Sequence, residues 1–109
     1  MNSLEQNSLC IDLDGTLAEI TDDYSSAPPM PGAADALRTL RFNGWKIIIF
    51  TARHFNHWEI TTRWLNDNHF EYDQLVFGKP TARFYIDDRG INFNGDWDST
   101  VTKLINTTQ

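Results

Sequence analysis

Four short apolar runs, spaced along a chain of 109 residues, constrain the fold more than any other feature of the sequence. They are LCIDL at 9–13, KIIIF at 46–50, QLVF at 74–77 and RFYIDD at 83–88. The unbroken apolar stretch at 47–50 is typical of a parallel strand that is buried on both faces. The other three runs have the length and the bounding turn residues of further strands. The sequence therefore predicts four β-strands.

Between the apolar runs lie segments with helical spacing and one long irregular stretch. Residues 33–44 repeat apolar side chains every three to four positions, and Pro31 precedes them. Residues 54–69 and 100–107 favour two further helices. By contrast, 19–31 combines polar residues with three prolines and predicts a loop or flap. Strands that alternate with helices predict an α/β fold, a Rossmann-like parallel sheet of right-handed βαβ units with helices on both faces.

Length and composition indicate one globular domain. The chain is 40% hydrophobic and 22% charged, which is ordinary for a soluble domain of this size. We expect residues 1–8 to form a flexible tail and residues 9–109 to form the single domain. The opening lacks the basic start and apolar centre of a signal peptide, and no apolar run approaches the roughly 20 residues of a membrane helix. A cytoplasmic protein without a membrane partner is therefore expected.

Charge and cysteine content narrow the function classes. The net charge of −6 disfavours broad binding to nucleic acids or anionic membranes, so a nucleic acid is expected only as a substrate. The single cysteine, Cys10, allows no internal disulfide, and its place in an apolar run predicts a small buried side chain. Four aromatic residues are expected in the core, unless some form an exposed contact for an oligomer or a substrate: Phe55, Trp58, Trp64 and Trp97.

Every predicted strand is followed by polar or charged residues. They are Asp12 and Asp14 after the first strand, Thr51, Ala52 and Arg53 after the second, Lys79 after the third, and Asp87 and Asp88 at the end of the fourth. Taken alone, Asp14 followed by a glycine would also suit a simple turn. Ligands of parallel α/β sheets bind at the carboxyl ends of the strands, however. Four such endings together therefore predict a site at one edge of the sheet.

The residue types at this edge suit the transfer of a phosphoryl group. Three or four carboxylates near one point repel one another unless a cation joins them. Oxygen ligands favour a hard ion such as Mg²⁺. Lys79 adds a positive charge, Thr51 a hydroxyl donor and Arg53 a fork that matches phosphate. An acidic cluster with a metal and a phosphate-binding rim predicts phosphoryl-transfer chemistry.

In this order, the residues resemble the four motifs of the haloacid dehalogenase superfamily of phosphatases. DLDGT at 12–16 resembles the first motif, Thr51 the second, Lys79 the third, and the pair Asp87 and Asp88 the fourth. The resemblance implies the fold of that superfamily and a hydrolase with a covalent aspartyl-phosphate intermediate.

The resemblance also implies a role for each motif residue. Asp12 would be the nucleophile, and Asp14 would protonate the leaving oxygen and then activate water. Thr51 and Lys79 would hold the phosphoryl oxygens. Mg²⁺ would rest on the Asp12 carboxylate, the Asp14 carbonyl and Asp87, with Asp88 binding through water or orienting Lys79.

The chain has no room for the cap domain that many members of this superfamily insert. It is similar to small capless proteins of the capsule-biosynthesis type, and Thr-Ala-Arg at 51–53 and Asp-Asp-Arg at 87–89 also resemble the phosphatase domain of polynucleotide kinase. The resemblance implies that Thr51, Ala52, Arg53, Lys79 and Arg89 contact the substrate. An uncapped site is open unless another subunit covers it, so a homo-oligomer is one expected arrangement.

The favoured function is that of a Mg²⁺-dependent phosphatase that acts on a sugar phosphate, a nucleotide or another small phosphomonoester. A phosphatase of nucleic-acid ends bearing a 3′-phosphate is the alternative. A receiver-like phosphoacceptor module is a third, disfavoured because Asp14 is the group that would turn a lasting aspartyl phosphate into a rapidly hydrolysed one. A catalytically idle protein on the same scaffold is disfavoured because every expected catalytic position is retained.

Overall fold

The computed structural model describes residues 7–107, and over that range the chain forms a three-stranded sheet, three α-helices and one short 3₁₀ turn. The strands are β1 (Ser8–Asp12), β2 (Lys46–Thr51) and β3 (Gln74–Phe77). The helices are α1 (Ala33–Phe42), α2 (Trp58–Asp67) and α3 (Trp97–Thr107), and the 3₁₀ turn is Phe55–His57. Most of the expected tail lies outside the described residues, and Ser8, which was assigned to it, begins β1.

The three strands run parallel in the order β1-β2-β3. Asp12 lies beside Phe50, and Thr51 lies beside Phe77, so the three strands end at the same edge of the sheet. The α/β architecture with a parallel sheet and flanking helices is confirmed. No second domain is inserted within residues 7–107, as expected for a minimal core.

The core lies on one face of the sheet. Ile47, Ile49 and Thr51 of β2 are fully buried, whereas the alternate residues Ile48 and Phe50 are only half-buried. Because consecutive strands are neighbours in the order 1-2-3, two right-handed crossovers place both connecting helices on the same side. The prediction of helices on both faces is therefore wrong in this respect. The helical residues that join this core are Ala33, Ala36, Leu37, Leu40, Trp64, Leu65, Trp97 and Leu104.

The prediction that Cys10 is buried is also wrong. Cys10 lies beside Ile48 in the sheet, on the face that the helices leave open, and its side chain is exposed. Of the four aromatic residues expected in the core, Trp64 and Trp97 are buried, whereas Phe55 and Trp58 are exposed. Phe55 packs edge-on against Phe77 at the end of β3, with the two rings 5.5 Å apart.

The predicted fourth strand at 83–88 does not form, and this prediction is wrong. Residues 81–92 are exposed and irregular, with Phe84 and Ile86 open to solvent. Tyr85 instead folds back on its own loop: its hydroxyl donates to the Pro80 carbonyl (2.6 Å) and its ring receives the Lys79 ammonium at 4.5 Å. An apolar run becomes a strand only where a neighbouring strand accepts it, and within residues 7–107 β1 pairs with β2 alone.

Asp73 fixes the start of the β2–β3 pairing and gives a test of the fold. Its carboxylate accepts from the Ile47 amide (2.8 Å), its own amide donates to the Ile47 carbonyl (2.9 Å), and Arg41 of α1 donates to both carboxylate oxygens. The hydrogen bond from Ile47, followed by that from Arg41, holds the pKa of Asp73 below its ordinary value. Stability from this group is therefore present at neutral pH and is lost as the pH falls below about 4.

We expect Asp73→Ala to lower the free energy of unfolding by about 1–2 kcal/mol at pH 7, because a backbone donor and an arginine lose their partner. The difference from the wild-type chain should be smaller at pH 3, because the stability contributed by a carboxyl group with a lowered pKa declines as the pH falls below about 4. Urea unfolding at both pH values measures it, with the exposed Asp67→Ala as the matched control. An equal loss at both pH values would contradict a role for the charge.

Within residues 7–107, every helix is too short and too polar to cross a bilayer.

Candidate active site

Asp12 and Lys79 meet at the carboxyl edge of the sheet. Asp12 ends β1, its Oδ1 accepts from the Leu13 amide (3.0 Å), and the Lys79 Nζ lies 3.4 Å from the same oxygen. Both side chains remain partly open to solvent, which a substrate would require. Lys79 is placed there by its backbone, because its amide donates to the carbonyl of Thr51 at the end of β2.

A tight turn after β1 orients Asp14. The Leu13 carbonyl accepts from the amides of residues 16–18, and the Gly15 amide donates to the Ala18 carbonyl. Gly15 has φ +89°, a left-handed conformation in which a side chain is strained. Trp97 of α3 anchors the turn from outside, since its Nε1 donates to the Thr16 carbonyl (2.9 Å). The turn that this aspartate–glycine pair predicts is therefore confirmed, and the role of Asp14 in a site stays a prediction.

Asp14 is bound by a buried arginine. Arg53 donates from Nε to Asp14 Oδ2 (2.9 Å) and from NH2 to Asp14 Oδ1 (2.7 Å), a bidentate pair. The Arg53 side chain is only 1% exposed, whereas the Asp14 side chain is 29% exposed. The third nitrogen, NH1, donates to Thr61 of α2 (3.0 Å). In this arrangement the guanidinium faces internal partners, and its expected contact with a substrate phosphate stays a prediction.

Thr51 lies at the centre of these contacts but is fully buried. Its hydroxyl accepts from the Arg53 amide (3.1 Å), and its carbonyl accepts from the Lys79 amide (3.0 Å). Thr51 therefore fixes the two segments that carry the cationic side chains of the site. Ala52, between Thr51 and Arg53, is exposed at the same edge.

The remaining predicted residues are not brought to this cluster. Asp87, Asp88 and Arg89 are exposed, in the irregular segment that replaces the expected fourth strand. The Arg89 amide donates to Asp87 (2.9 Å) and holds the pKa of that carboxyl below its ordinary value. Nowhere in residues 7–107 do three acidic, histidine or cysteine side chains converge to hold a metal ion. The four predicted ligands supply the oxygen chemistry that Mg²⁺ prefers, and the metal site they would form stays a prediction.

The loop at 19–31 contributes a residue that the sequence interpretation missed. Tyr24 places its ring 3.8 Å from the Arg53 Cζ and packs edge-on against His57. The loop is tied down at its far end, where Trp64 Nε1 donates to the Ala27 carbonyl (2.8 Å). A lone tyrosine in a polar loop was the available signal for Tyr24. Thr61 was also missed, and no sequence signal pointed to it apart from its place in a predicted helix.

The charges at the site balance before any substrate arrives. Asp12 pairs with Lys79, and Asp14 pairs with Arg53, so two carboxylates face two cations. A phosphomonoester adds roughly two negative charges at neutral pH. Lys79 is the more exposed of the two cations, with 19% of its side chain open to solvent against 1% for Arg53.

Solved structures with the same fold come from several sources. A protein from Vibrio cholerae with a known crystal structure shares 29% sequence identity with this chain. The two structures match with a TM-score of 0.73 over 94% of this chain and 99% of that one. A conserved protein from Bacteroides thetaiotaomicron is 20% identical with a TM-score of 0.65, covering 94% and 91%, and shows the fold alone. No family model matches the sequence, and no curated protein matches it either.

A chain of the Pnkp1/Rnl/Hen1 complex is also similar. It is 27% identical with a TM-score of 0.58 over 75% of this chain. The match covers 31% of the complex chain, so the present chain corresponds to about a third of that larger one. This fold thus occurs both as a protein of similar length and as part of a longer chain.

Proposed function

We propose that this protein is a phosphatase that hydrolyses phosphomonoesters through an aspartyl-phosphate intermediate on Asp12. The observation that carries the proposal is the pairing of Asp12 with Lys79 at the carboxyl edge of the sheet, 3.4 Å apart and open to solvent. A carboxylate there has an open path to phosphorus, and the adjacent ammonium offsets the charge that the substrate brings. The motif resemblance and the likeness to a chain of the Pnkp1/Rnl/Hen1 complex support the same chemistry.

The proposed reaction has two displacements. Asp14 takes up a proton when the substrate binds. A carboxylate oxygen of Asp12 then attacks phosphorus, the bond to the leaving oxygen breaks, and Asp14 gives that oxygen its proton to release the alcohol. Water then attacks phosphorus, Asp14 takes one of its protons, and the bond between phosphorus and Asp12 breaks to release inorganic phosphate. When inorganic phosphate leaves, Asp14 releases its proton to solvent, and both carboxyl groups are again in their starting states. Lys79 binds a phosphoryl oxygen in both displacements, and Thr51 keeps its backbone in place.

We further propose that activity requires Mg²⁺. Asp12 and Asp14 already pair with Lys79 and Arg53, so these cations offset little of the charge that a phosphate dianion adds. A divalent cation would supply the missing positive charge. Carboxylate oxygens are the ligands such an ion prefers, and Asp12, Asp14, Asp87 and Asp88 are the proposed set. Holding them together would require the exposed segment at 83–89 to approach β1.

The substrate class we propose is a small phosphomonoester such as a sugar phosphate or a nucleotide. A site without a cap accepts varied leaving groups. The second candidate is a phosphorylated nucleic-acid end, favoured by the similar chain of the Pnkp1/Rnl/Hen1 complex, which one structure describes as an RNA repair complex. The net charge of −6 favours the small substrates.

A phosphatase screen tests the function and separates the two substrate classes. The wild-type chain with Mg²⁺ is assayed for phosphate release from p-nitrophenyl phosphate, sugar phosphates, nucleotides, and oligonucleotides with a 3′- or 5′-phosphate. We expect release from the small esters, at a higher kcat/KM than from the oligonucleotides. The reverse order would favour the nucleic-acid end, and no release from any of them would overturn the proposed function.

A further inference from the structure

We propose that Arg53 is a positioning residue that holds the Asp14 carboxyl group in place for proton transfer, and that it does not bind the substrate. The inference rests on the proposed function, because it assigns a partner to the group that moves the proton. It departs from the expectation that Arg53 contacts the substrate phosphate. The departure follows from where the guanidinium lies and what already occupies its donors.

The guanidinium is held on three sides. Its Nε and NH2 donate to the two oxygens of Asp14, and its NH1 donates to the Thr61 hydroxyl. The Tyr24 ring covers its face, with the ring centre 3.8 Å from the Arg53 Cζ. With 1% of the side chain exposed, a phosphate in solvent could reach it only by displacing Asp14. A buried, bidentate arginine loses little freedom on binding and fixes the plane of its carboxylate partner.

The pairing leaves part of the Asp14 carboxyl group accessible to solvent. Each carboxylate oxygen has two lone pairs, and the bonds from Arg53 use one on each. Asp14 also keeps 29% of its side chain exposed, so its outer side faces the open edge of the sheet. Arg53 therefore fixes the orientation of the Asp14 carboxyl group. Because Tyr24 packs on Arg53, this orientation also depends on the position of the loop at 19–31.

The two roles for Arg53 predict different dependence on the leaving group. An alkyl phosphate, such as glycerol 2-phosphate, needs a proton on its leaving oxygen, whereas p-nitrophenol leaves readily without one. Loss of a positioning residue for the acid should therefore slow the alkyl ester selectively. Loss of a phosphate contact should slow both esters equally and weaken inhibition by inorganic phosphate.

The test compares Arg53→Met with wild type in the first turnover, which isolates formation of the intermediate from its hydrolysis. We expect the rate for glycerol 2-phosphate to fall about a hundredfold more than the rate for p-nitrophenyl phosphate. Inhibition by inorganic phosphate should be unchanged. Arg53→Lys, which keeps one bond to Asp14, should recover part of the alkyl ester rate. Arg63→Met, an exposed arginine of α2, is the matched control and should behave as wild type.

A second variant guards against a folding defect. Tyr24→Leu removes the ring over Arg53 from a partly exposed loop position and should give the same selective loss at smaller size, even if Arg53→Met fails to fold. Equal losses on both esters with weaker phosphate inhibition, or unchanged rates in the folded variants, would overturn the inference while leaving the phosphatase intact. Absence of hydrolysis by the wild-type chain would instead overturn the proposed function, and the inference with it.

Discussion

Asp12→Asn is expected to reduce hydrolysis of p-nitrophenyl phosphate by about 10⁴-fold or more. The amide is a far weaker nucleophile than the carboxylate, and the substitution also removes the negative partner of Lys79. The fold should survive, because Asp12 is a half-exposed residue at the end of β1 and Asn can still accept from the Leu13 amide. The measurement is phosphate release at saturating substrate, together with thermal unfolding of both chains.

The result has to be compared with the same substitution at an aspartate outside the site. Asp67→Asn changes the same functional group on the exposed end of α2, away from the sheet edge, and should retain wild-type activity. Trapping supplies a second readout, since acid quenching of the wild-type reaction should leave labelled phosphate on the protein and quenching of Asp12→Asn should not. A folded Asp12→Asn chain with full activity would remove Asp12 as the nucleophile.

The part of the site that could be predicted is the part that strand register determines. Apolar runs and turn signals identify β1, β2 and β3, and parallel pairing then brings the ends of these strands to one edge. Asp12 and Lys79 meet for that reason, although 66 positions separate them in the sequence. Charge and polarity at strand ends were sufficient evidence for this pair.

The rest depends on side-chain directions and on partners that a sequence does not state. Arg53 follows β2 as a phosphate-binding residue would, yet its side chain turns inward to Asp14 and Thr61. Tyr24 reaches it from a loop whose path no periodicity encodes. The run at 83–88 has strand composition, but pairing is a property of two segments, and Tyr85 found its contacts within its own loop. The predicted ligands Asp87 and Asp88 lie in this same exposed and irregular segment.

Removal of Mg²⁺ by EDTA is expected to reduce the activity of the wild-type chain by at least about a hundredfold, and excess Mg²⁺ should restore it. The reason is the charge balance of the site. Lys79 and Arg53 already offset Asp12 and Asp14, so the negative charge of a bound phosphate dianion needs a further cation to offset it. EDTA saturated with Mg²⁺ before addition is the control for effects of the chelator itself.

Asp87→Asn tests whether the exposed segment at 83–89 helps to bind the ion. If Asp87 helps to hold Mg²⁺, the variant should need a higher Mg²⁺ concentration for half-maximal activity, whereas Asp67→Asn should need the same concentration as wild type. Activity that persists in EDTA would contradict the metal requirement. A restored rate with an unchanged Mg²⁺ dependence in Asp87→Asn would keep the ion but assign it to Asp12 and the substrate. Within residues 7–107, no group of three acidic, histidine or cysteine side chains converges to hold a metal ion.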